Sequence, residues 1–252
     1  MAPVGNSHYD SLQATLERRF SNGLQLNASY TWGKGIGIYN VRESTDSPAI
    51  KIPAFYNLNR AVFGFDRTHS FNLAGIYELP LGKGKKWFNN GRSNALVGGW
   101  QLNWLFSSYT GLPFGVGASG SSLNAPKNSQ RADQIKPNVE KLGGIGPGTP
   151  FYDPTAFAPV LDARFGTAGF NALRGPGLVN LDFGLFRDFR VTEQFHMQFR
   201  AEALNFSNTP HFGNPRSDRS GSNFMVVDSI VNSGREPAGD ERSFRFGLRL
   251  SF

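Results

Sequence analysis

Hydrophobic and polar residues alternate along several segments of the chain. From Ser243 to Phe252, Phe244, Phe246, Leu248, Leu250 and Phe252 share one parity, and Ser243, Arg245, Gly247, Arg249 and Ser251 share the other. Successive side chains of a strand point to opposite faces, so this segment predicts a strand with one apolar and one polar face. The pattern recurs near the start, where Leu12, Ala14, Leu16 and Phe20 alternate with Gln13, Thr15, Glu17 and Arg19. Ser21-Asn22-Gly23 supplies a short turn with Gly available for a positive φ. Leu24, Leu26, Ala28, Tyr30 and Trp32 then carry the apolar face back. Setting Phe20 opposite Leu24 places Leu16 against Ala28 and Leu12 against Trp32. Each arm has about ten residues, the length that crosses a bilayer when tilted. Arg18 interrupts the apolar face beside the turn, where a long side chain snorkels to the headgroups.

Four more strands are predicted on the same grounds. They are 68–79 (Phe71, Leu73, Gly75, Tyr77, Leu79), 95–110 (Trp100, Leu102, Trp104, Phe106), 178–188 (Leu181, Phe183, Leu185) and 195–203 (Phe195, Met197, Phe199, Ala201, Ala203). The connections 34–67, 111–177 and 207–242 are long and irregular, whereas 21–23, 80–94 and 189–193 are shorter. Long and short connections alternate, so every long one falls at the same end of the sheet. Loops this long count against a compact soluble domain. In outer-membrane barrels long loops are extracellular and short turns periplasmic. The fold expected is all-β, an antiparallel up-and-down transmembrane β-barrel segment of about seven strands, in the outer membrane of a Gram-negative bacterium. The hairpin 178–206 is expected to centre on Val191, with Phe183 beside Phe199 and Asp182 beside Arg200 as a lumenal charge pair. Tyr30, Trp32, Tyr77 and Trp100 lie near strand ends on the apolar face, where an interfacial aromatic girdle belongs.

Composition agrees with strands, turns and exposed aromatics, with 30 Gly and 23 Phe in 252 residues. The absence of cysteine excludes disulfides and thiolate metal sites. The chain lacks eighteen consecutive apolar residues, which excludes a transmembrane helix but not barrel strands. A net charge of +7 is spread over loops and polar faces, which argues against nucleic acid and leaves lipid and lipopolysaccharide phosphates as anionic partners. Asp66, His69 and Ser70 are the residue types of a hydrolytic triad, but no nucleophile elbow surrounds Ser70. His8, His69, His196 and His211 lack ligand spacing. Lys83 to Lys86 and Gly143 to Gly148 lack the context of a phosphate loop. No catalytic residue, metal or cofactor is therefore expected. Tyr39, Phe55 and Tyr56 in the first long loop are the candidates for touching a ligand.

Several runs resemble the barrel of TonB-dependent outer-membrane receptors. They include Arg19-Phe20-Ser21-Asn22-Gly23-Leu24, Phe65-Asp66-Arg67-Thr68-His69-Ser70-Phe71 and Tyr77-Glu78-Leu79-Pro80-Leu81-Gly82-Lys83-Gly84. The most specific is Phe199-Arg200-Ala201-Glu202-Ala203-Leu204-Asn205-Phe206-Ser207-Asn208, followed by Pro210 and Phe212. Together they are similar to the Oar-like group, whose members carry a carboxypeptidase-regulatory-like domain, a plug and a barrel of about twenty-two strands. The resemblance implies that residues 1–252 form the C-terminal portion of such a barrel. It lacks the signal peptide, plug and roughly fifteen strands. It also implies active uptake by the complete protein, contact with the TonB complex only through the missing plug, and a barrel-assembly signal formed by Phe244, Phe246, Leu248, Leu250 and Phe252. A small self-standing or oligomeric barrel acting as pore or adhesin is the competing expectation.

Overall fold

The computed structural model describes residues 6–38, 49–82, 84–88, 97–190, 192, 194–231 and 240–252. In chain order the strands are β1 (Ser7–Ser21), β2 (Leu24–Gly37), β3 (Ala61–Val62), β4 (His69–Glu78), β5 (Trp100–Tyr109), β6 (Pro113–Phe114), β7 (Asp133–Gln134), β8 (Phe157–Ala158), β9 (Leu173–Arg174), β10 (Leu178–Arg190), β11 (His196–Leu204) and β12 (Ser243–Ser251). Among the described residues, short 3-10 helices cover Pro53–Asn59 and Pro154–Ala156.

The main sheet has the order β1-β2-β4-β5-β10-β11-β12, with β3 added to β2, and its neighbours are antiparallel. The sheet is not closed, and among the described residues β1 and β12 pair on one side only. One outer row reads Leu26, Gly75, Trp104, Phe183, Ala203, Phe244 from strand to strand. An inner row reads Thr15, Ser29, Asn72, Ser107, Asn180. The alternation seen within single strands is thus in phase across the sheet, giving one apolar and one polar face.

The first hairpin has Leu12 opposite Trp32 and Leu16 opposite Ala28, as the pattern predicts. Its turn uses Asn22 and Gly23 at φ 53° and 79°, the pair of left-handed residues that a two-residue type I′ connection needs. A bulge between Arg18 and Ser21 sets Ser21, and not Phe20, opposite Leu24. β2 also runs past Trp32 to Gly37, where a loop is predicted. The glycines of this extension are tolerated because aromatic rings cover them, as described below.

The β10–β11 register differs from expectation. Phe183 meets Ala203 rather than Phe199, and Arg200 meets Phe186 rather than Asp182. β10 continues to Arg190, so the turn lies further along the chain than a centre on Val191, itself outside the described residues. The offset is an even number of residues, so the faces are kept and Phe183 and Phe199 share the outer face. The expected Asp182–Arg200 pair is lost. Asp182 Oδ1 accepts the Asn205 N–H at 2.8 Å, while Arg200 Nε donates to Gln198 Oε1 at 2.6 Å with its guanidinium over the Phe186 ring.

The long connections are structured. β6 pairs with β9 and β7 with β8, and bridges join Gly117 to Arg131 and Asp218, and Pro150 to Val226. Phe114, Val116, Ala132, Phe151, Tyr152, Ala156, Phe157, Ala168, Phe224, Met225 and Val227 bury one another in a single cluster. This cap draws on the connections β5–β10 and β11–β12 alike. Among the described residues, Ala203 alone of the buried apolar side chains belongs to a long strand of the main sheet. The core sits in the loops.

Candidate functional site

The outer face of the sheet is apolar and uncovered by protein. Leu16 is 68% and Phe246 74% exposed, although each faces an apolar neighbour along its row. On β2 the apolar stretch from Leu24 to Trp32 measures about 27 Å along the strand, or about 20 Å of height at the usual tilt. One row beyond Trp32, Asp10 stands opposite Lys34 and the face turns polar. The four girdle candidates mark the two ends of this band. Trp32 lies opposite His69 at the long-loop end, and the Tyr30 hydroxyl is 2.8 Å from His69 Nδ1. Tyr77 and Trp100 lie at the short-turn end, where the Trp100 ring meets Phe199 edge-on and stands 5.3 Å from the Arg187 guanidinium. Between them Gly75 leaves the space that the Trp104 ring fills; a Cβ there would lie 2.1 Å from it. The terminal strand continues the band, with Phe244, Phe246, Leu248 and Leu250 opposite Ala203, Ala201, Phe199 and Met197, and Phe252 fully exposed.

The inner face is a hydrogen-bonded polar layer. Asn72 Oδ1 accepts from the Ser107 and Tyr109 hydroxyls at 3.0 and 2.5 Å, and Gln198 links Asp188 to Arg200.

Two knots fasten the loops to the sheet, one using residues of the run Phe65 to Phe71 and the other residues of the run Phe199 to Phe212. In the first, buried Asp66 accepts the Gly35 N–H at 2.9 Å and pairs with Arg174 at 2.5 Å. Arg174 also donates to the carbonyls of Asp66 and Gly111, and Arg67 donates to the Thr110 carbonyl at 2.7 Å. In the second, buried Asn205 takes a left-handed φ of 47°, receives the Thr209 N–H and donates to the carbonyls of Thr209 and Asp240. Its neighbour His211 lies between the Asp240 carboxylate at 3.1 Å and the Val179 carbonyl at 3.1 Å. These roles went unassigned in the sequence. The available signal was polar residues embedded in aromatic runs immediately beside a strand end.

The triad types are not brought together. Asp66 turns to Gly35 and Arg174, His69 lies on the outer face against Tyr30, and Ser70 has the opposite, inner parity. Among the described residues no His, Asp and Glu side chains gather as a metal site. Of the ligand candidates, Tyr39 lies outside the described residues. Phe55 packs edge-on against Phe165 at 5.4 Å, and the Tyr56 carbonyl accepts from Asn59. Within the cap, ion pairs hold charge in place. The Lys136 ammonium, with Thr155, holds the Asp153 carboxyl down to about 2, and the Arg164 guanidinium holds Asp133 below the usual carboxylate range.

A single antiparallel layer with an apolar, aromatic-bounded outer face and a polar inner face is the wall of a transmembrane β-barrel. The chain belongs to the outer membrane beta barrel domain family, whose profile matches residues 1–238. It accordingly resides in the outer membrane of a Gram-negative bacterium. No curated protein matches the chain, and no solved structure does.

Proposed function

We propose that the chain is the C-terminal portion of the barrel wall of a TonB-dependent transporter of the Oar-like group. The complete protein would take up a large or scarce solute, with energy coupling supplied by a plug outside this chain. One observation carries the choice over a self-standing pore. With seven long strands alternating in direction, β1 and β12 run the same way, both towards the short turns. Closing the sheet on itself, or joining copies edge to edge with every loop on the outer side, would create a parallel seam in an antiparallel wall. An odd number of further strands avoids that seam, and a barrel of about twenty-two strands leaves about fifteen. The resemblance runs through Phe65 to Phe71 and Phe199 to Phe212 support the same reading, because they include the residues that tie loops to wall.

The terminal strand ending at Phe252 is assigned to recognition by the barrel-assembly machinery, and the exposed Lys34 beyond Trp32 to lipopolysaccharide phosphates. Reconstitution of residues 1–252 in liposomes tests the choice. The expected result is no steady conductance. Reproducible single-channel steps would favour the small pore or oligomer instead. For the complete protein, uptake that persists without TonB would remove the importer reading.

A further inference from the structure

On the polar parity of β2, Gly33, Gly35 and Gly37 form a bare strip of backbone. A Cβ at these positions would lie 2.7 Å from Tyr9 Oη, 2.5 Å from the Phe63 ring and 2.7 Å from the Phe63 ring, respectively. The rings of Tyr9 and Phe63 therefore lie against the inner wall. Phe65 stacks on Phe63 with centroids 5.3 Å apart and planes 12° from parallel. Its position is fixed by the adjacent Asp66, which bonds to β2 through the Gly35 N–H. Tyr9, on the open edge strand β1, remains 60% and Phe65 57% exposed, on a face that is otherwise polar. Outer-face aromatics are accounted for by lipid, and these two are not.

The surface next to them is polar, and the cation that adjoins it, Arg67, is engaged by the wall, with its guanidinium 5.4 Å from the Tyr109 ring and a 2.7 Å bond to the Thr110 carbonyl. Thr31, Ser70 and Tyr109 form the adjoining inner row, and Ser29, Asn72 and Ser107 the one below. Other charges of the inner rows lie elsewhere, with Glu17 towards the short turn, and Asp182, Arg200, Glu202 and Arg245 on β10 to β12. Exposed ring faces beside neutral hydroxyls and amides suit a ligand with an apolar C–H face and an equatorial belt of hydroxyls. An anionic ligand would have to draw Arg67 away from Tyr109 and the Thr110 carbonyl, and a purely apolar one would leave Asn72, Ser107 and Thr31 desolvated without new bonds.

We propose that the inner mouth of the wall binds a neutral oligosaccharide, with one sugar unit against the rings of Phe65 and Tyr9 and the hydroxyls of the units that follow bonded to the row of Thr31, Ser70 and Tyr109 and the Asn72 row below it. This names the solute class of the importer proposed above and rests on that reading for the route, while binding itself requires only the wall.

The test is equilibrium titration of the protein, purified from outer membranes with whatever strands complete its wall, against maltohexaose, cellohexaose and hexagalacturonate. At least one neutral hexasaccharide should bind, and hexagalacturonate should bind at least about tenfold more weakly. Phe65→Ala and Tyr9→Ala should each weaken the neutral ligand about tenfold, whereas Phe65→Trp should retain it. Heat-modifiable mobility of each variant confirms a folded wall. Absence of neutral binding, equal binding of the acidic sugar, or indifference to both alanine substitutions would overturn the proposal. The rings would then be a packing surface for another segment of the protein. Because titration needs no energy source, binding without TonB-dependent uptake would count against the transporter reading alone.

Discussion

The wall and the cap bury apolar surface in different ways. Phe246 on β12 is 74% exposed and Phe157 in the cap 3% exposed. The same side-chain type serves both, because in the wall lipid chains supply the second half of the packing. A cap in water has no such partner and must bring its own, which is why two distant connections converge on one cluster. A strand in this wall needs only its alternation and its neighbours. A cap residue needs specific partners far away in sequence.

This contrast can be broken most strongly from the cap side. Phe157→Ala should cost about 3–5 kcal/mol of cap stability, because it removes transfer energy and leaves a cavity. Limited proteolysis at the cell surface should then cut within 111–177 while heat-modifiable mobility of the wall stays unchanged. Loss of both together would show that wall and cap are one cooperative unit. Arg174→Ala should cost about 2–4 kcal/mol, since Asp66 stays buried with the Gly35 N–H but without its cation. It should loosen the joint between loop and wall, seen as faster hydrogen exchange at Gly35 and Thr110.

Phe246→Ala sharpens the comparison. In a bilayer it should cost about 1.5–3 kcal/mol, the transfer term without the cavity term, because lipid fills the gap. Urea titration in liposomes measures it, and a cost equal to that of Phe157→Ala would mean that protein covers this face. The smallest effect concerns acid. The carboxyl of Asp153 is held down to about 2 against an ordinary value near 4, so its contribution is complete above about pH 4 and is lost as pH falls through about 2. Asp133 shifts in the same direction. Peptic cleavage of the cap should rise over that interval, and Lys136→Met should flatten the rise.

The wall was legible because its code is local. Leu12 to Trp32 specify their own faces and turn, and the structure follows them as far as the bulge at Arg18. The β10–β11 register was not, because alternation repeats every second residue and cannot choose among even offsets; the turn decides, and Arg190 still belongs to the strand. The cap core was illegible for a different reason. Phe114, Phe151, Phe157 and Phe224 follow no period, and their meeting depends on the wall holding β5, β10, β11 and β12 side by side. Asp66 and Arg174 belong to the same class, with partners more than a hundred residues apart.

The convergence of two connections on one cluster also imposes a sequence of events. Phe114 and Val227 are joined through the whole β10–β11 hairpin, so closing the cluster early would mean tying off a loop that long before any wall contact offsets its entropy. Once the hairpin is inserted, its upper ends already stand together and the same closure is short-ranged. The cap is therefore a late product of assembly, and a surface protease added during biogenesis should find its cleavage sites open for a time after the strands have become resistant.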